Sequence, residues 1–201
     1  SKIYEPSEEY LLSIQNSYIN AIGEIVTDDV SLYEQIRAYL ELYQKEDLNK
    51  LRFYDDKMLP LYKLYSLNNQ LENALKKNVW LKSGGYIIIE QTEAMVVIDV
   101  NTGKFDGKKK DREQNFLKIN IEAAKEIANQ LILRNLSGMI LIDFISMEKK
   151  ESIDRLISVL IEELKKDPVK ADFVDITKLG IIELTRKKTK QSLAEIICNI
   201  N

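Results

Sequence analysis

The chain has 201 residues and no histidine, and this absence excludes the catalytic mechanisms and metal sites that depend on an imidazole. Ser-His-Asp and Cys-His mechanisms need an imidazole as general base, and many metal sites need it as a ligand. The single cysteine, Cys198, excludes an internal disulfide, and we expect no zinc site within this chain. Two options are left for hydrolysis: Mg²⁺ or Mn²⁺ held by carboxylates, or acid–base chemistry by carboxylates alone, as in glycosidases.

Long hydrophobic runs are also missing. No apolar run approaches the ~20 residues that span a bilayer, and residues 1–6 lack the pattern of a secretory signal. A single cysteine suits a reducing compartment, so we expect a cytoplasmic protein with no membrane span. Because the chain does not begin with Met, we expect a piece of a longer protein. The net charge of −3 argues against strong nonspecific binding of nucleic acid.

Two aspartates end runs of aliphatic residues. Asp99 follows residues 95–98, and Asp143 follows residues 138–142. A carboxylate there is costly unless something compensates for its lost hydration, as a shared divalent cation would. Residues i and i+2 of a strand face the same side, so Asn101 projects with Asp99. A strand, a long helix and a second strand would place the two aspartates on neighbouring strands, at the same edge if these run parallel.

Each of these residues also has a plainer interpretation. A lone aspartate at a strand end usually caps the following turn or helix. Basic residues cluster after the first aspartate and near the chain end, and most surface lysines are simply solvated. Both clusters could also contact phosphates by charge-assisted hydrogen bonds.

The apolar periodicity predicts an α/β (α+β) fold, a mixed β-sheet with flanking helices. The predicted helices are residues 7–20, 31–43, 66–77, 113–134 and 149–166, and the predicted strands are 23–28, 51–54, 86–90, 95–101, 138–145, 173–176 and 181–186. The third and fourth strands, and the last two, are expected to form antiparallel hairpins. Ser31 is the predicted N-cap of the second helix, and Asp111 with Gln114 resembles a capping box. Ser83-Gly84-Gly85 is the clearest break.

Five stretches of the chain form specific motifs. They are residues 83–94 (Ser83-Gly84-Gly85 and the strand after it), 98–103 (Ile98-Asp99-Val100-Asn101-Thr102-Gly103), 120–131, 134–145 and 179–186. In this order they closely resemble the catalytic region of the ribonuclease E/G family, over about residues 58 to 193.

The resemblance implies both a fold and a reaction. It implies a noncatalytic ribonuclease H-like subdomain over residues 1–82, with the tail of an upstream sensor segment, and a DNase I-like catalytic subdomain over residues 83–201. It assigns metal binding to Asp99 and Asp143 and a supporting catalytic role to Asn101. For the implied reaction, the candidates for neutralising the substrate phosphate are Lys104, Lys178 and Arg186. The implied reaction is Mg²⁺-dependent endonucleolytic cleavage of single-stranded RNA to 5′-phosphate and 3′-hydroxyl products, in RNA processing and decay, with Mn²⁺ as an alternative ion.

Typical members of that family also carry an S1 domain, a 5′-end sensor and often a paired-cysteine zinc link. We expect no S1 domain here, and Cys198 stands alone, so zinc-bridged dimerisation is not expected although a homo-oligomer stays open. Two alternatives to the nuclease are left. One is a noncatalytic RNA-binding or scaffolding fragment, and the other is a glycosidase-like hydrolase, which a single tryptophan disfavours.

Overall fold

The structure is a computed structural model that describes residues 14, 23–103 and 112–200. The chain divides into two compact units, residues 1–70 and 71–201. The helices are α1 (Val30–Tyr43), α2 (Leu61–Leu64), α3 (Leu67–Leu75), α4 (Arg112–Leu133), α5 (Lys150–Leu164) and α6 (Leu193–Ile200). The strands are β1 (Ile25–Thr27), β2 (Leu51–Phe53), β3 (Asn78–Trp80), β4 (Tyr86–Gln91), β5 (Met95–Asn101), β6 (Gly138–Asp143), β7 (Ala171–Ile176) and β8 (Ile182–Arg186). None of the helices described is long and apolar enough to cross a membrane.

The first unit contains a parallel pair of short strands, β1 and β2, and helix α1. This helix buries Ile36 and Leu40 in a small core, as its apolar spacing predicts. The predicted N-cap, Ser31, is wrong. Asp29 has the extended backbone of an N-cap, and its carboxylate accepts a hydrogen bond of 2.8 Å from the N–H of Leu32. Apart from Ile14, the predicted helix over residues 7–20 lies outside the described residues, as does Asp111 of the predicted capping box.

The second unit is built on a six-stranded sheet with the order β3-β4-β5-β6-β8-β7. β4 and β5 form the predicted antiparallel hairpin, and β7 and β8 form the other, with a bulge between Phe173 and Asp175. β5 and β6 pair in parallel, and α4 connects them. The mixed sheet with flanking helices confirms the predicted fold class. The assignment of residues 1–82 to a ribonuclease H-like subdomain and of residues 83–201 to a DNase I-like subdomain stays a prediction.

Side-chain alternation gives the sheet two different faces. Alternate strand residues, such as Ile87, Ile98 and Ile140, are fully buried in a core that also contains apolar residues of α4 and α5. The residues between them project to the other face, where Val97 is 37% exposed and Met139 is 47% exposed. We call this second surface the open face. Asp99 and Asn101 project to the open face, because they alternate with the buried residues of β5. The core therefore holds β5 and β6 in place while the polar residues at their ends stay accessible.

Candidate active site

Asp99 and Asp143 are direct partners in the parallel ladder between β5 and β6. Adjacent strands lie ~4.8 Å apart, so the two carboxylates leave neighbouring backbones from the same edge of the sheet. Asp99 is half-buried and Asp143 is exposed. The two-strand arrangement expected from the sequence is therefore present, although Asp143 is more accessible than its aliphatic run indicated.

Asn101 orients the first of these carboxylates. Its Nδ2 donates a hydrogen bond of 2.7 Å to Oδ2 of Asp99. Among the described residues, the second oxygen of Asp99 and the amide oxygen of Asn101 have no hydrogen-bond partner, so they can accept a ligand. In the described parts of the chain, the side chain of Asp143 makes neither a hydrogen bond nor an ion pair. The site therefore offers several hard oxygen donors with unused lone pairs.

These donors fit a magnesium ion. Mg²⁺ in proteins is held by one or two carboxylates and completes its octahedron with waters and substrate phosphates. No cluster of three or more His, Cys, Asp or Glu side chains with metal-binding geometry occurs among the described residues, so a closed, all-protein cage is not formed there. An open site of two carboxylates suits an ion that also contacts substrate.

Asp99 and Asp143 line an open pocket of about 740 Å³. This volume lies within the range of small-ligand sites. The first turn of α4 and the loop that follows β6 form its walls. The residues that line it are Asp99, Val100, Asn101, Thr102, Arg112, Glu113, Phe116, Asp143, Phe144, Ile145, Ser146, Met147 and Glu148.

Arg112 is the single lysine or arginine among the described residues that line this pocket. Its guanidinium carbon lies 5.1 Å from the centroid of the Phe116 ring, which supports the side chain by a cation–π contact. The side chain is exposed and always charged, so it can bind a phosphate. The sequence showed Arg112 only as one member of a basic cluster and gave no reason to single it out.

Asn120 holds the chain just beyond Asp143. It is fully buried on α4. Its Nδ2 donates to the carbonyl of Ile145 at 2.8 Å, and its Oδ1 accepts from the N–H of Ile145 at 3.1 Å. Both backbone groups of Ile145 are thereby satisfied. Asn120 is a positioning residue that the sequence analysis did not identify.

Glu113 fixes the loop that forms the far wall of the pocket. Its carboxylate accepts hydrogen bonds from the N–H groups of Glu148 at 3.2 Å and Lys149 at 3.1 Å, just before α5 begins. These bonds, the one from Glu148 foremost, hold the pKa of Glu113 below its ordinary value. Both oxygens therefore hold the start of α5.

Close backbone packing explains the glycines on both sides of β4 and β5. A Cβ on Gly85 would lie 2.8 Å from the carbonyl oxygen of Asn101, and one on Gly103 would lie 2.2 Å from the carbonyl oxygen of Gly84. Gly103 also has a φ of +66°, which side chains rarely adopt. The Ser83-Gly84-Gly85 turn is thus packed directly against the end of β5 that carries Asn101.

Glu122 of α4 holds the same turn from another side. Its carboxylate accepts hydrogen bonds from the N–H groups of Lys82 at 2.7 Å and Ser83 at 3.1 Å. Partial burial favours a raised pKa for Glu122, but the hydrogen bonds from Ser83 and Lys82 outweigh it and lower the pKa. The turn is therefore fixed by an ionised carboxylate.

The three basic candidates are placed very differently. Arg186 is only 3% exposed, and its guanidinium pairs with Asp167 at 2.6 Å. Its ladder partner on β6 is Gly138, at the opposite end of that strand from Asp143. The structure therefore does not bring Arg186 to the site, because burial and an ion pair occupy its charge. Lys178 is exposed in the turn between β7 and β8, and Lys104 lies outside the described residues.

Comparisons with known proteins agree with the motifs. The model of the Ribonuclease E/G family matches residues 1–189. Ribonuclease G of Haemophilus influenzae is 41% identical over 178 residues, which are 89% of this chain and 36% of that protein. Ribonuclease G of Escherichia coli K12 is 39% identical over the same shares. Ribonuclease E of Haemophilus influenzae is 31% identical over 96% of this chain and 20% of its own length. The chain spans about a third or less of these relatives.

Proposed function

The chain belongs to the ribonuclease E/G family, and we propose that it is the catalytic core of a metal-dependent endoribonuclease. Its substrate is single-stranded RNA, and its products carry a 5′-phosphate and a 3′-hydroxyl. The observation that carries this proposal is the pairing of Asp99 with Asp143 in one ladder, with Asn101 bonded to the first carboxylate. Under the proposal, residues 83–201 are the catalytic, DNase I-like subdomain.

Asp99 and Asp143 are the residues that would hold the ion, Mg²⁺ or Mn²⁺. A bound ion would neutralise charge developing on the scissile phosphate and acidify the attacking water. The chain has no histidine that could activate this water as a general base. Asn101 keeps Asp99 in the orientation that presents its free oxygen to the ion. Asn120 and Glu113 hold the backbone and the loop after Asp143, so the geometry exists before substrate arrives.

We assign to Arg112 the phosphate-binding role for which Arg186 was one of three candidates, with Lys104 and Lys178. An arginine can form two parallel hydrogen bonds to phosphate oxygens, and Arg112 lines the same pocket as the aspartates. Lys178 stays a candidate, since its turn joins β7 to β8, and Ile182 at the start of β8 pairs with Ile142 beside Asp143. Arg112 would thus bind the substrate phosphate, while the two aspartates would hold the metal ion.

The test is a cleavage assay on 5′-monophosphorylated single-stranded RNA with Mg²⁺, with Mn²⁺ and with EDTA. We expect cleavage in both metals, none in EDTA, and 5′-phosphate and 3′-hydroxyl ends by mass spectrometry. Asp99→Asn and Asp143→Asn should each abolish cleavage without changing the circular dichroism spectrum. Asp172→Asn is the matched control, because Asp172 is an exposed aspartate of β7, away from the pocket lining.

Two results would contradict the proposal. Undiminished cleavage by Asp99→Asn or Asp143→Asn would remove the aspartates from the mechanism. RNA binding without cleavage in any metal, with Mg²⁺ still binding the wild-type chain by calorimetry, would indicate a noncatalytic RNA-binding fragment whose acidic pair holds a structural ion.

A further inference from the structure

Two aromatic side chains stand on the open face beside the proposed catalytic site. Trp80 of β3 is the ladder partner of Tyr86 of β4, and Tyr86 is the ladder partner of Asn101. Ladder partners project to the same face of a sheet. Trp80, Tyr86 and Asn101 therefore form one row across three strands, and the next row contains Ile88, Asp99 and, on the neighbouring strand, Asp143.

The exposure of Trp80 is unusual for a tryptophan that has only a structural role. This residue is 69% exposed, although tryptophan usually buries most of its surface. Its one ring contact in the described part of the chain is with Tyr86, whose centroid lies 5.1 Å away at an interplanar angle of 50°. This contact supports one side of the indole and leaves a large apolar surface uncovered, at about two strand spacings, or ~10 Å, from Asn101.

We propose that the exposed indole of Trp80, supported by Tyr86, stacks on a base of the single-stranded RNA close to the phosphate held at Asp99 and Asp143. The proposal rests on the ribonuclease function proposed above. Exposed aromatic side chains on a sheet face bind unpaired bases by stacking, whatever the base, because every base has a π-face. The acidic net charge of −3 gives this chain little general attraction for phosphates, so stacking would supply affinity that charge does not.

Stacking also has a consequence for the substrate. A base held on Trp80 must be unpaired and turned out of a helix, so the platform would favour single-stranded over double-stranded RNA at the cleavage site. It would do so with little preference for base identity.

Trp80 is the only tryptophan of the chain, so its fluorescence reports on this one position. The experiment titrates the whole 201-residue chain with a short single-stranded RNA in EDTA, where no cleavage is expected. Binding is followed independently by the anisotropy of a label on the RNA. We expect saturable quenching of Trp80 that coincides with the anisotropy change. A set of RNAs with one abasic position each should show the quenching lost at one or two positions.

Variants test the contribution to affinity. Trp80→Ala should weaken RNA binding by about five- to a hundredfold, the range that single base–aromatic stacks contribute, and Trp80→Phe should restore much of it. Tyr43→Ala is the matched control, because Tyr43 is 72% exposed and its ring also lies 5.1 Å from a second tyrosine, Tyr39, in α1. Circular dichroism of each variant checks the fold.

The outcomes separate this proposal from the ribonuclease proposal. Metal-dependent cleavage without quenching by bound RNA, or unchanged affinity of a folded Trp80→Ala, overturns the platform alone. Quenching with no cleavage in any metal overturns the ribonuclease and leaves base stacking in place. No RNA binding at all overturns the platform, since the indole would then have no base to stack on.

Discussion

Gly85→Ala tests whether the Ser83-Gly84-Gly85 turn positions Asn101, the proposed partner of the metal-binding aspartates. The new Cβ would lie 2.8 Å from the carbonyl oxygen of Asn101 and 3.0 Å from Cγ2 of Ile119. Ile119 is buried and its β-branched side chain is stiff, and the carbonyl belongs to a strand in the middle of the sheet, so neither neighbour yields easily. To restore van der Waals contact, the end of β5 must move by roughly 0.5 Å.

The size of the effect follows from that displacement. A misplacement of about 1 Å costs about 100-fold in rate, so half of it predicts roughly a tenfold loss of cleavage. Inserting one methyl group into tight packing should also lower the free energy of unfolding by about 1–3 kcal/mol. The two effects are separable, because the cleavage rate can be expressed per folded molecule.

The assay measures single-turnover cleavage of labelled single-stranded RNA in Mg²⁺, together with urea unfolding of the same preparation. Gly138→Ala is the control. Gly138 has a φ of +88°, but no neighbouring atom lies within 4 Å of the position that a methyl group would take, so alanine there causes backbone strain without a clash. Because Gly138 lies at the end of β6 opposite Asp143, this variant should lower stability by about 1–2 kcal/mol and leave cleavage unchanged. Wild-type cleavage by folded Gly85→Ala, or an equal loss in Gly138→Ala, would refute the reasoning.

Three further predictions concern residues that hold the site or the sheet. Asn120→Ala leaves the N–H and C=O of Ile145 unpaired, so unfolding free energy should fall by about 1–3 kcal/mol and cleavage per folded molecule should also fall. Arg186→Met leaves the buried carboxylate of Asp167 without its partner and should cost about 3–5 kcal/mol in urea unfolding, with cleavage per folded molecule unchanged; a selective loss of cleavage would restore a phosphate-binding role. The folded-state pKa of Glu113 is lowered, so its stabilisation is present above the ordinary carboxyl pKa and is lost as pH falls through the folded value. The stability difference between the wild type and Glu113→Gln, from urea midpoints, should therefore shrink on acidification.

The pairing of Asp99 with Asp143 could be predicted because it depends on simple backbone rules. Alternation along a strand placed Asn101 beside Asp99, and a strand–helix–strand connection placed the two aspartates on adjacent parallel strands. Neither rule needs knowledge of a distant contact. The same holds for α4 and α5, whose apolar periods gave their bounds to within two residues.

The positions of Arg186 and Asn120 differ from what their polar side chains indicate, because both residues are buried. Arg186 continues the alternation of Ile182 and Leu184, both of which face the core, so its buried position was readable from the strand pattern. Asn120 likewise shares the buried helix face with Ala123 and Ala124, where a polar side chain needs a specific partner. In both cases a polar residue occupies a position where the periodicity of the strand or helix predicts a buried apolar one.

Other features could not be found from local sequence. β3 is only three residues long, and it is a strand because β4 pairs with it. The caps Asp29 and Ser31 are both good N-cap types two residues apart, and the choice between them depends on the backbone that enters the helix. The grouping of Arg112 and Phe116 with the aspartates depends on where α4 crosses the sheet.

The β5–β6 ladder makes the site sensitive to chain length in one place. Every ladder partner from Met95 with Met139 to Asp99 with Asp143 keeps the same offset. Deleting one residue inside β6 would swing Asp143 toward the core and present its aliphatic neighbour to the pocket. An insertion in the turn between β7 and β8 would leave this offset untouched. Gaps within β6 should therefore mark homologues in which the two aspartates no longer face each other across the ladder.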